Sequence, residues 1–200
     1  AAAGAASISS QGLAQEASVA GPETNKGRDS LFTISLSQWS YHRAIFGNAR
    51  VDYRWFIETL HSKPDEVLLG DMDPRDIVIR AREHGVDVVD LVNILWFGNG
   101  QDTAWLNEFK RRAAGEDVVF GGMMCDELGQ IGSSRKAERN SAVEKHIQWM
   151  ATAAKLGCTW FRVNPYGDGT YLEQCKQGAE SLHRLGEASR AYGLDILVEN

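Results

Sequence analysis

Two hundred residues are enough for one domain with a real hydrophobic core. With 43% hydrophobic and 24% charged residues the chain is globular rather than disordered, and no apolar stretch reaches the roughly 20 residues of a membrane helix. A net charge of −6 argues against a nucleic-acid partner, which calls for a basic stripe.

Residues 1–29 form the first unit, built of small and polar side chains, and residues 30–200 form the second. The first unit reads either as a loose terminus or as the end of an export signal, with Ser18-Val19-Ala20 as a small-x-small cleavage site. Periplasmic export and a cytoplasmic location therefore both stay open.

From residue 31 the chain alternates apolar runs with helical patterns. Leu31 to Leu36 predicts a first strand. Asp73-Pro74 opens a helix that Gly85 closes, with Asp as cap and Pro at the first position. "GVDVVDLVN" then predicts strand two, and a helix ending at Gly115 leads into strand three, "EDVVFGGMM". Ser141 and Glu144 have capping-box spacing, and Val143, Ile147, Met150, Ala151 and Ala154 share one face of the helix that Gly157 ends. Strand four is "CTWFRVN". A helix striped by Leu172, Cys175, Ala179, Leu182 and Leu185 runs to Gly193, and Leu194 to Val198 predicts a buried fifth strand. The closing glycines suit left-handed C-caps.

Strands alternating with helices mean a parallel sheet covered by helices, as an open doubly wound sheet or as a (β/α)8 barrel. "LSQWSYHRAIFG" stands where a dinucleotide fold would place its glycine fingerprint, which favours the barrel. No P-loop, HExxH or GxSxG is present, and "GNG" and "GDG" read as plain turns. Cys125, Cys158 and Cys175 are odd in number without CxxC spacing, which indicates neither a disulfide framework nor a zinc knuckle.

In parallel α/β folds ligands lie beyond the carboxyl ends of the strands. Those ends carry Gln38, Trp39 and His42, then Asp90 and Asn93, then Asp126, then Arg162 and Asn164, then Glu199 and Asn200. Acids, amides, a guanidinium and an imidazole together suit a polyhydroxylated small molecule. Each also has a plainer reading. Asp126 and Asn164 serve as turn formers, His42 and Trp39 as packed residues, and Arg162 as the ion-pair partner of Asp90 or Glu199. His61, His84, His146 and His183 read as surface residues.

"LSQWSYHRAIFG", "GVDVVDLVN", "AVEKHIQWMATAAKLGCTWFRVN" and "YGLDILVEN" together resemble the sugar phosphate isomerase/epimerase family of xylose-isomerase-like TIM barrels, above all its exported bacterial branch. The resemblance runs from about Ser30 to Asn200. It implies a (β/α)8 barrel of which this chain covers about the first five strands, inactive as they stand alone. It also implies a divalent metal (manganese, magnesium, cobalt or zinc) with Glu199 as the first of four ligands and as a candidate base. His42, Arg162 and Asn164 would orient sugar hydroxyls, with Trp39 as pocket wall and Asp90, Asn93 and Asp126 as further substrate-binding residues. Asp90 stands where relatives more often carry Glu. The reaction implied is isomerisation or epimerisation of a sugar or sugar derivative, by proton transfer beside a carbonyl through an enediolate. The partners implied are a small-molecule sugar and, as in relatives, further copies of the chain. A carbohydrate-binding barrel without catalysis and a metal phosphoesterase of the endonuclease type are the competing readings.

Overall fold

The structure, a computed structural model, describes residues 32–199. The expected terminal unit, with its Ser18-Val19-Ala20 cleavage site, and Asn200 lie outside the described residues.

Five strands form one sheet: β1 (Leu36–Ser37), β2 (Val88–Val92), β3 (Val119–Met124), β4 (Trp160–Val163) and β5 (Asp195–Val198). Their spatial order equals their chain order, and every pairing is parallel. A doubly wound sheet reverses direction at a switch point, which sends helices to both faces. Here the order never reverses. Right-handed crossovers then place every helix on one side and leave the other face as an interior. Five consecutive parallel strands in this order are the arrangement of a (β/α)8 barrel, as the alternation of strands and helices predicts.

The helices are α1 (His42–Phe46), α2 (Tyr53–Ser62), α3 (Ile77–Glu83), α4 (Thr103–Gly115), α5 (Lys136–Leu156) and α6 (Tyr171–Tyr192). Asp73 caps the turn before α3, its side chain accepting from the Arg75 N–H. Gly85, Gly157 and Gly193 take left-handed backbone after their helices, as their positions predict. Gly115 does not; α4 runs through it, and Asp117 adopts the left-handed conformation instead. None of the described helices is long and apolar enough to cross a membrane.

Several expectations need correction. Among the described residues of "LFTISL" only Leu36 is ladder-paired, the strand continuing to Ser37, and Phe32 and Ile34 are exposed. α5 begins at Lys136, so Ser141 and Glu144 sit inside it and form no cap. The capping box belongs to α6, where the Thr170 hydroxyl accepts from the Glu173 N–H and the Glu173 carboxylate accepts from the Thr170 N–H. The buried face of α6 carries Gly178, Ser181, Leu185 and Ser189, whereas Leu172, Cys175 and Ala179 are exposed. His146 is buried rather than superficial, its Nδ1 2.7 Å from the Ala142 carbonyl oxygen. β5 is buried only in part. Leu194 is enclosed but Leu197 and Val198 are exposed, because among the described residues β5 has one ladder neighbour, β4.

The core lies between the sheet and the helices, with Phe46, Phe56, Trp96, Phe109 and Phe161 fully buried. Gln38 is buried among them. Its Nε2 donates to the Pro74 carbonyl, and its Oε1 accepts from the Val92 N–H and the Trp96 indole. It ties the end of β1 to the end of β2.

Candidate functional site

A cavity of about 700 Å³ opens at the carboxyl ends of the strands. Ladder geometry places its polar floor. Met124 at the end of β3 pairs with Arg162 in β4, and Arg162 pairs with Leu197 in β5. The Glu199 N–H donates to the Val163 carbonyl at 3.1 Å, so the ladder continues one step past β5 and fixes Glu199 at the rim.

Arg162 binds two acids. Its Nη2 lies 3.1 Å from Asp126 Oδ1 and its Nη1 2.8 Å from Glu199 Oε2. Asn164 donates from Nδ2 to the same Asp126 oxygen at 2.6 Å. Burial pushes the Asp126 carboxyl above its ordinary value; the Glu199 charge adds to this and the Arg162 guanidinium opposes it. Among the described residues, Arg162 Nε and Asn164 Oδ1 are buried without hydrogen-bond partners. Such a cost is uncommon in a folded chain and concentrates at functional sites.

Asp126 is held from behind by Asn93. The fully buried Asn93 side chain donates from Nδ2 to the Asp126 carbonyl and accepts the Asp126 N–H on Oδ1, each at 2.9 Å. Asn93 thus touches the backbone of the site and does not line the cavity.

The facing wall comes from the segment between β1 and α2. Trp39 lines the cavity, with His42 stacked on it at 4.5 Å between ring centroids. The His42 Nδ1 lies 2.8 Å from the Trp39 carbonyl, so His42 supports Trp39 and is not itself in the lining. Arg50 reaches over the Trp39 ring, 4.9 Å from its centroid, and Tyr53 stands beside it. Asp52 caps α2 by accepting the Trp55 N–H, which sets the direction in which Tyr53 leaves the chain.

Asp90 lies away from the cavity. Its carboxylate accepts from the Ser35 hydroxyl and the Gly122 N–H, and burial raises its carboxyl above the ordinary value. Among the described residues it pairs with no cation. Of the expected residues, the structure therefore brings together Trp39, Asp126, Arg162, Asn164 and Glu199 around one cavity, with Asn93 and His42 behind them and Asp90 apart. Glu199, not Asp90, is the second partner of Arg162.

Sequence reasoning missed Arg50, Tyr53, Glu127 and Tyr166 in the lining. Glu127 has a φ of 60°, a left-handed conformation unusual outside glycine. Its carboxylate lies 3.8 Å from His61 Nε2, and with burial it raises the Tyr53 phenol. The nearest signal was "DELG", where an acid directly follows the strand-ending Asp126.

Two loops close the remaining side. The Gly132 N–H donates to the Tyr166 carbonyl at 2.7 Å, and a Cβ on Gly167 would lie 2.1 Å from the Gly132 carbonyl oxygen. Ser134 donates from both its N–H and its hydroxyl to Asp168. The loops after β3 and β4 are in backbone contact.

Among the described residues no three of His, Cys, Asp and Glu converge to hold a metal ion. Glu199 is the one described member of the ligand set that the resemblance implies, and Arg162 already engages it. The described residues do not make a metal centre by themselves.

A family profile described as xylose isomerase-like TIM barrel matches residues 78–200, more than half of the chain. No curated protein matches it. Among solved structures, a D-psicose 3-epimerase crystallised in the presence of D-fructose is similar with a TM-score of 0.54 at 10% identity, over 64% of this chain and 47% of that one. The apo form of a 3-keto-D-glucoside 4-epimerase, YcjR, from E. coli gives 0.52 at 14% identity, over 62% and 49%. An IolI protein with a bound zinc atom gives 0.51 at 14% identity, over 62% and 45%. The chain spans less than half the length of each of these structures, and at these identities the likeness is one of fold.

Proposed function

The chain belongs to the xylose isomerase-like TIM-barrel family, and from that premise we propose that the protein is an isomerase or epimerase of a sugar or sugar derivative. The observation that carries the proposal is Arg162 set between Asp126 and Glu199 on the floor of the strand-end cavity. Two of the structural neighbours are sugar epimerases, which supports the same reading at the level of fold.

The chemistry follows from the charges. In the proposed reaction the Glu199 carboxylate takes a proton from the carbon beside a sugar carbonyl. The electron pair of that C–H bond becomes the carbon–carbon double bond of an enediolate, and the carbonyl oxygen becomes negative. Arg162 offsets that charge and, through its contact with Glu199, holds the carboxylate at the rim of the cavity. Asp126, with its carboxyl raised by burial, is the described acid suited to hold and return a proton. Asn164 and Trp39 position hydroxyls and a ring face. A bound metal would need ligands besides Glu199 that the described residues do not provide, so no step depends on one.

The test is deuterium exchange. The full-length protein is incubated with neutral and anionic ketoses and aldoses in D2O, with and without manganese. Incorporation beside the carbonyl, lost in Glu199→Gln, is the expected result. Sugar binding without exchange in every condition would replace the enzyme by a carbohydrate-binding barrel.

A further inference from the structure

Two guanidinium groups line the cavity, and they differ in what they already bind. Arg162 spends its charge on Asp126 and Glu199. Arg50 forms no ion pair among the described residues. Its guanidinium lies 4.9 Å from the Trp39 ring centroid, 5.9 Å from Phe56 and 6.0 Å from Tyr53. Aromatic stacking orients the guanidinium plane but leaves its N–H fork free to bind in plane. The third acid in the lining, Glu127, faces Tyr53 and His61.

We propose that Arg50 is the anion receptor of this cavity, and that the sugar derivative bound here carries a carboxylate or phosphate group. The inference rests on the sugar-isomerase reading of the same cavity and names its substrate class. A planar fork lying beside aromatic rings matches both oxyanions, which accept two parallel N–H bonds. The reacting end of the sugar lies toward Glu199 and Arg162, and the anionic end toward Arg50.

The experiment measures affinities of fructose, fructose 6-phosphate, gluconate and inorganic phosphate for the wild-type protein, for Arg50→Leu and for Arg50→Lys. Circular dichroism confirms that each variant is folded. One charge-assisted contact predicts that an anionic sugar binds about tenfold or more tighter than fructose. Arg50→Leu should erase that ratio, and Arg50→Lys should keep part of it, because an ammonium retains the charge without the fork. Preference for gluconate identifies a carboxylate, and preference for fructose 6-phosphate a phosphate. Equal affinity for neutral and anionic sugars, or a preference that survives Arg50→Leu, overturns the proposal. Deuterium exchange separates the two readings. Exchange without anion preference leaves the isomerase and removes the receptor. Arg50-dependent phosphate binding without exchange on any sugar does the reverse.

Discussion

The two walls of the cavity are built on opposite plans. The strand-end wall of Asp126, Arg162, Asn164 and Glu199 is internally paired, sits on ladder positions and is backed by Asn93. The facing wall of Trp39, Arg50 and Tyr53 is aromatic, grows from short helical turns and holds a guanidinium that has no acidic partner among the described residues. The difference teaches where each kind of damage should appear. In the paired wall a lost partner strands a charge, so stability suffers first. In the aromatic wall the groups are more exposed, and a lost side chain changes binding while the fold remains.

The largest effect should come from Arg162→Met. It leaves two carboxylates facing each other, and about 2–3 kcal/mol of unfolding free energy should be lost in urea titrations. This lies below the value for a fully buried pair because the Glu199 side chain is 49% exposed. A loss under about 0.5 kcal/mol would mean that the wall is not held by its charges.

Next comes Asn93→Ala, which removes both clasps on the Asp126 backbone inside the core. Its cost should be about 2 kcal/mol, with weakened binding of any ligand that Asp126 contacts. Unchanged denaturation would break the link between the clasp and the wall.

Asp126→Asn should act through pH. The folded-state value of Asp126 is raised, so the residue favours folding below the ordinary aspartate range, about pH 4, and that contribution is lost as pH rises through the folded value. The variant mimics the protonated form. Its stability relative to wild type should therefore improve as pH rises through the ordinary aspartate range and level off above the raised folded value, and parallel curves would contradict the role of burial.

The smallest effect should be Arg50→Leu, within about 0.5 kcal/mol of wild type, since its partners are aromatic faces. A larger loss would show that both walls are structural.

Much of the fold was legible because strands two to five are apolar runs set behind helix-ending residues, a signal that needs no tertiary context. The register of the tips followed, and with it Asp126, Arg162, Asn164 and Glu199. Other features left no such trace. The buried face of α6 carries Gly178, Ser181 and Ser189, small residues that suit close packing but add nothing to a hydrophobic stripe. His146 finds its acceptor one turn back in its own helix, so no distant partner announces its burial. S-x-x-E spacing at Ser141 was outweighed by the polar but helix-favouring "KAERN" that extends α5. Arg50 and Tyr53 entered the site through the turn geometry between α1 and α2, which spacing does not encode.

The touching glycines of the loops after β3 and β4 set a rule for anyone who would diversify this pocket. Neither loop can be randomised alone, because any side chain at position 167 would collide with the Gly132 backbone. Variation in Gln130 or Tyr166 is open; variation in the pair beneath them must be made in both loops at once, or the rim loses its shape before selectivity can change.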